Sequence, residues 1–187
     1  IKQNINIVWW GNIRFDKAYT KDLCRLLAAS GCIAVTGGLE TANERILKLM
    51  DKRINLLEGI KVLNNFAQSG IMVHTYLIYG FPGETIEEAI NSLEIIRQLF
   101  KNNIIHSAYY HRFSLTVHSR IFKDPIKFNI RADKTIYDFA NNDCEYEDMN
   151  DTNIDSIGED LNKALYNFNY NNLVSRDIGL WFEGKKI

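Results

Sequence analysis

Three cysteines, Cys24, Cys32 and Cys144, are all that the 187 residues contain, and no two of them stand at C-x-x-C or another metal-ligand spacing. An odd, scattered set of this kind excludes a disulfide framework and a zinc site, so the thiols read as core residues. An excess of charge is also missing. Lysine and arginine total 22 against 23 acidic residues, with no basic run, which leaves no footprint for a nucleic-acid partner. No apolar run reaches the ~20 residues of a membrane span and no signal peptide is visible, so no membrane contact and a cytoplasmic location are the expectations. Internal repeats, low-complexity segments, a nucleotide P-loop, a Ser-His-Asp set and paired carboxylates are absent as well. The first residue is Ile1 rather than methionine, which points to a processed or truncated chain. What is present is globular material, 46% hydrophobic, enough for one domain with a sizeable core.

The pattern alternates strands with helices. Residues 4–10 are β-branched and aromatic and end at Gly11, which predicts a strand. Thr20 caps a helix with Leu23, Leu26 and Leu27 at helical spacing, stopped by Gly31. Residues 32–36 form a second strand; alternation from an inward Glu40 puts Thr36, Ala34 and Cys32 inside, with Ile33 and Val35 against helices. A short helix follows at 43–50. Asn55 with Glu58 makes a capping box for a helix reaching Gly70. Residues 71–78 are apolar without polar alternation, as a strand covered on both faces requires. Gly80-Phe81-Pro82-Gly83 breaks that strand, Thr85 and Glu88 form another capping box, and residues 86–100 carry an apolar helical stripe. A further strand spans 104–113. From 122 to 153 no period is visible, which predicts an irregular extension, and Asn153 or Thr152 caps a last helix carrying Ile154, Ile157, Leu161, Leu165 and Phe168.

Two strand ends are candidate sites, because ligands of α/β folds sit where the carboxyl end of a strand meets a helix. In Gly37-Gly38-Leu39-Glu40-Thr41 the glycines admit a ligand to the backbone, and the carboxylate can accept hydrogen bonds from ribose hydroxyls or an ammonium group. The backbone of the 80–84 turn can meet the edge of a base. Each stretch by itself is equally a structural turn. His74 and Tyr76 share one side of their strand. His106, His111 and His118 lie five and seven residues apart, spacings that suit neither a strand face nor a helix turn, so they do not read as a metal site.

Together these pieces resemble a family. Asn12-Ile13-Arg14-Phe15-Asp16, Gly31-Cys32 into Gly38-Leu39-Glu40-Thr41, the helix 45–52, and Gly70-Ile71 into Tyr79-Gly80-Phe81-Pro82-Gly83-Glu84-Thr85 resemble, in order and spacing, the radical S-adenosylmethionine (radical SAM) enzymes. The nearest branches are those of the methylthiotransferases, the coproporphyrinogen dehydrogenases and the cobalamin-linked members. The likeness covers residues 5–113. It implies an α/β fold, a partial TIM-type (β/α) barrel holding parallel strands 3–6 of a (β/α)6 core over residues 1–116, with an irregular and helical extension over 117–187.

By position, the resemblance makes Glu40 the residue that contacts the nucleoside or methionine part of S-adenosylmethionine, and places Lys52 at its carboxylate. Ile78, Gly80, Phe81 and Glu84 fall in the turn that cradles adenine. Tyr76 stands where one branch carries an aspartate for the ribose. The implied cofactors are S-adenosylmethionine and a [4Fe-4S] cluster, with cobalamin in some branches, and the reaction is reductive cleavage to a 5′-deoxyadenosyl radical acting on an unknown substrate. The family's Cys-x-x-x-Cys-x-x-Cys cluster loop is absent, so the cluster ligands and the first two strands are expected before Ile1. A half-barrel predicts an unpaired edge along residues 5–10, with self-association of the fragment or a lid made by residues after Thr116. Two other classes stay open: a nucleoside-binding or degenerate module without chemistry, and a small α/β phosphate-binding enzyme.

Overall fold

The computed structural model describes residues 6–133, 142–150 and 153–182. Four parallel strands, β1 (Trp9–Asn12), β2 (Cys32–Glu40), β3 (Met72–Tyr79) and β4 (Ser107–Arg112), form one sheet in sequence order. Between them run α1 (Lys21–Ala29), then α2 (Glu44–Leu49) and α3 (Leu56–Ala67), then α4 (Ile86–Lys101). Each helix starts where a side chain satisfies its free N–H groups: Thr20, Asn43, Asn55 and Thr85 all accept from the first turn. Asn55 with Glu58 and Thr85 with Glu88 complete both capping boxes. Gly31 and Gly70 follow α1 and α3 at φ 95° and 78°, which only glycine adopts readily.

The helices cover one face of the sheet. Ile71, Val73 and Leu77 are fully buried against Leu63, Phe66, Leu93 and Ile96, and Val35 and Leu39 join the same core. On the other face Trp10, Met72, Tyr76 and Tyr109 are exposed by 64%, 51%, 41% and 54%. His74 and Tyr76 share one side of β3 as expected, but the cover on both faces expected for residues 71–78 is not formed by the described residues. At the start of β2 the expected alternation is not observed: Cys32 is buried in the helix-side core with Cys24, and Ile33 points into solvent. Trp9 pairs with Cys32 and Trp10 with Ala34, so Ile33 is the extra residue of a bulge that reverses the faces. The strand expected over 4–10 is displaced to Trp9–Asn12, and its first residues, up to Ile5, lie outside the described residues.

Beyond β4 the chain makes small elements rather than none. β5 (Leu115–Thr116) pairs with β7 (Asp143–Cys144), and β6 (Ile130–Ala132) with β8 (Tyr146–Asp148), around α5 (Arg120–Lys123). Phe81, Ile46, Leu115, Ile121 and Ile130 form a second core beneath them. Asn153 makes no side-chain cap; a 3-10 turn over Ile154–Ile157 comes first and α6 (Gly158–Tyr170) follows, while Thr152 lies outside the described residues. Ile157, Leu161, Ala164, Leu165 and Phe168 bury α6 in the helix-side core. Asn169 closes the free edge of β4, its Oδ1 accepting from the Ala108 N–H at 3.0 Å and its Nδ2 donating to the Ala108 carbonyl at 2.8 Å. The segment after Thr116 thus packs on the β4 edge and on α4. The lid expected over the open face is not formed by the described residues, and β1 forms the other edge of the sheet.

Candidate functional site at the carboxyl ends of the strands

The end of β2 is pinned by buried polar groups. The Leu39 N–H donates to Thr75 Oγ1 at 3.1 Å, the Ala42 N–H donates to Ser92 Oγ at 2.8 Å, and Thr41 and Ser92 share a hydroxyl contact of 3.2 Å. Between these anchors β2 bulges again, Gly38 pairing with Tyr76 and Glu40 with Leu77. Glu40 is left at φ 69°, a left-handed backbone that costs a residue with a Cβ about 1–3 kcal/mol and persists where its surroundings enforce it. Its carboxylate lies over Gly38, where a Cβ would collide with it. Lys52 donates to Glu40 Oε1 at 2.6 Å. Asp51 at φ 57° ends α2 and lets the Lys52 N–H return to the Leu47 carbonyl, which turns the lysine toward β2. Glu40, Lys52, Gly38 and Arg14 border an open cavity of about 480 Å³.

The end of β3 is built differently. Gly80 and Gly83 sit at φ 76° and 79°, and the Gly80 N–H donates to Glu84 Oε2 at 2.7 Å. Glu84 is 2% exposed, and burial pushes its carboxyl up to about 7 despite that bond. Arg45 reaches across from α2 to the Gly83 carbonyl at 2.6 Å and to Glu88, whose carboxyl that guanidinium holds down at about 2. Phe81 meets Phe113 at 5.2 Å and Phe128 at 6.2 Å in the second core. The side chains of Phe81 and Glu84 are therefore turned into the protein. Gly80 and Pro82 are buried as well, and Gly83 and Ile78 are half-buried.

Of the residues singled out in the sequence, Glu40 and Lys52 touch directly. Tyr76 lies in register with Gly38 on one side and Tyr109 on the other, its ring 4.9 Å from His74 and 5.4 Å from His111. Arg14, His111 and Arg45 complete the neighbourhood; the pairing of Arg45 with Gly83, 38 residues away, leaves no local pattern by which to find it. His106 is structural, its Nδ1 accepting from the Val73 N–H at 3.1 Å. Among the described residues no group of three or more histidine, cysteine or acidic side chains could hold a metal ion. Burial pushes the Cys24 thiol up to about 11.

Residues 12–96 match the family model described as the Radical SAM superfamily. Over that stretch, a little under half of its length, the chain is similar to the radical SAM superfamily. It is 36% identical over 74 residues to a probable threonylcarbamoyladenosine tRNA methylthiotransferase of Methanocaldococcus jannaschii, covering 38% of this chain and 17% of that protein. It is 31% identical over 109 residues to a tRNA-2-methylthio-N(6)-dimethylallyladenosine synthase of Desulfosudis oleivorans, covering 54% and 23%. In structure it is similar to the archaeal Elp3 of Methanocaldococcus infernus (TM-score 0.55, 17% identity, 65% of this chain and 28% of that one). It is also similar to the radical S-adenosylmethionine methyltransferase TsrM of Kitasatospora setae, solved with cobalamin and a [4Fe-4S] cluster (TM-score 0.52, 14% identity, 68% and 26%). At those identities the likeness is one of fold: the four-stranded parallel sheet with its helices is similar to part of a TIM-like barrel. The chain spans less than a third of the length of each of these four proteins.

Proposed function

We propose that this chain is the part of a radical SAM enzyme that grips S-adenosylmethionine, and that the [4Fe-4S] cluster of the same enzyme is held by residues outside 1–187. The observation that carries this reading is the Glu40–Lys52 pair, an acid in a left-handed backbone and a base meeting at 2.6 Å over Gly38 at a strand's carboxyl end. An amino acid zwitterion offers the same two charges in reverse. The ammonium of S-adenosylmethionine pairs with Glu40, its carboxylate with Lys52, and the adenine edge meets the backbone at Ile78 and Gly80, with Tyr76 beside the ribose. The donor set fits that ligand. It does not fit the cluster, since Cys24 and Cys32 are buried on the helix side of the sheet and Cys144 lies in the extension.

When bound, the cluster supplies the electron for cleavage of S-adenosylmethionine; the residues of this chain bind, orient and exclude water. Residues 1–116 form the barrel portion and 117–187 the extension that packs on it. The free edge of β1 is where the missing strands pair, or a second copy in the isolated fragment. Methyl or methylthio transfer, named for relatives that match this chain, is the reaction class we favour, with cobalamin as in TsrM an added cofactor of the parent. Among the described residues no helix is long and apolar enough to cross a membrane.

In the full-length enzyme Glu40→Ala will weaken S-adenosylmethionine binding about 10- to 150-fold, the worth of a hydrogen bond to a charged group. Lys52→Ala will do so less, because its side chain is 35% exposed. Equilibrium titration with S-adenosylmethionine reads both, and an unchanged isotherm for Glu40→Ala removes the pair from the site. The isolated chain, reconstituted anaerobically with iron and sulfide, will take up no cluster. Stoichiometric iron with visible charge-transfer absorption would place cluster ligands within these residues and overturn the division proposed.

A further inference from the structure

A second cavity, of about 510 Å³, opens between β4 and α6. It lies on the open face of the sheet but toward the start of the strands: His74 precedes Ile78 by four residues, a separation of about 13 Å along β3. His74 and Ser107, neighbours in register across β3 and β4, line one side with Tyr109. Asn162, Tyr166 and Tyr170 of α6 line the other. This space is not needed to seat α6, because Leu161, Ala164, Leu165 and Phe168 already bury the helix and Asn169 already clamps β4.

The lining has a definite chemistry. Tyr109, Tyr166 and Tyr170 are exposed by 54%, 59% and 73%, and among the described residues their hydroxyls make no hydrogen bond in the structure. Tyr166 and Tyr170 lie 4.8 Å apart, which makes one continuous aromatic wall. His74 Nδ1 shares a 2.7 Å hydrogen bond with Ser107 Oγ, which fixes the imidazole and leaves its Nε2 for another partner, as donor or acceptor according to the tautomer. Burial lowers the pKa of His74, so it is neutral at pH 7, and no other residue lining the cavity carries a formal charge. Volume, aromatic walls and one or two fixed polar groups are the usual make-up of a small-molecule site.

We propose that this cavity binds an uncharged planar ring of nucleobase or indole size, stacked on the tyrosines and hydrogen-bonded by His74. Stacking supplies the affinity and the imidazole the orientation. A charged analogue is disfavoured, because it gives up its hydration and meets no opposite charge. No residue lines both this cavity and the Glu40–Lys52 cavity, although the His74 ring touches Tyr76.

The test is calorimetric titration of the 187-residue chain with indole and with uracil as neutral probes and benzoate as the charged one. At least one neutral ring should bind saturably at one site, with benzoate at least about tenfold weaker. Tyr109→Ala and Tyr166→Ala, both at exposed positions that leave the core intact, should each weaken the neutral probe about three- to tenfold. Absence of saturable binding by both neutral rings, equal affinity for benzoate, or full affinity in both tyrosine variants would each overturn the proposal.

Discussion

Leu161→Ala should destabilise the whole chain by about 2–5 kcal/mol, the cost of deleting a fully buried leucine side chain from a core that closes only partly. A domain of this size is stable by about 5–15 kcal/mol, so one substitution in α6 removes a large share. The expectation rests on where α6 packs. Its buried stripe enters the same core as Leu93, Ile96 and Phe100 of α4, with Phe168 and Phe100 at 5.9 Å, and Asn169 hydrogen-bonds the β4 backbone. A helix so placed completes the sheet's core rather than decorating it. Urea unfolding read by tryptophan fluorescence in a Trp181→Phe background reports Trp9 and Trp10 in β1, at the far edge of the sheet from α6. Loss of α6 packing should shift that signal together with the helical circular dichroism. If the β1 transition stays in place while the helical one moves, α6 is an independent appendage and its role in the core is wrong.

Much of the barrel portion was legible because its determinants are local. The caps at Thr20, Asn55 and Thr85 lie within three residues of the N–H groups they satisfy, so pattern alone locates them. The exposed row of β3, Met72 to Ile78 by twos, follows from a period of two in an uninterrupted strand. Where a strand is interrupted the same rule fails. Ile33 and Leu39 are extra residues opposite shorter neighbours, and nothing in the residues 32–40 announces a bulge, so simple alternation puts Cys32 on the wrong face.

The site was legible in part for a related reason. Gly38 and Glu40 carry a strand-end signature, but the Glu40–Lys52 contact spans 12 residues through the left-handed turn at Asp51. Phe81 and Glu84 sit in a Gly-Phe-Pro-Gly-Glu turn with two positive φ angles and are buried, an orientation that periodicity cannot supply. Strands of two or three residues, such as β5 and β7, are shorter than the period that would reveal them, and the Asn169 clamp joins positions 61 residues apart.

Glu84 leads to the other large effect, a stability that depends on pH. Its carboxyl titrates at about 7 in the fold, raised chiefly by burial and further by the charge of Glu88, and lowered by the N–H groups of Gly80 and Phe81 and by Arg45. In the unfolded chain it titrates near the ordinary glutamate value of about 4.3. The folded state therefore holds more protons than the unfolded state between those two values. The stability this confers is fully present below about pH 4.3 and is lost as pH rises through 7. The size of the change is about 3 kcal/mol. Other groups act in different windows. Glu88, held at about 2, loses its contribution as pH falls below the ordinary glutamate range. His74 and His106, lowered by burial, gain stability as pH rises through the ordinary histidine range and mask part of the Glu84 slope. Glu84→Gln isolates it, since the amide keeps an oxygen for the Gly80 N–H and cannot ionise. Measured by denaturant unfolding at a series of pH values, the stability of Glu84→Gln relative to the parent chain should rise by about 3 kcal/mol between pH 4 and pH 8. A constant difference would mean that Glu84 ionises without penalty. A difference of the opposite sign would mean that the turn is built for the carboxylate. In either case the 80–84 turn would hold its backbone toward the site by some means other than a buried, protonated acid.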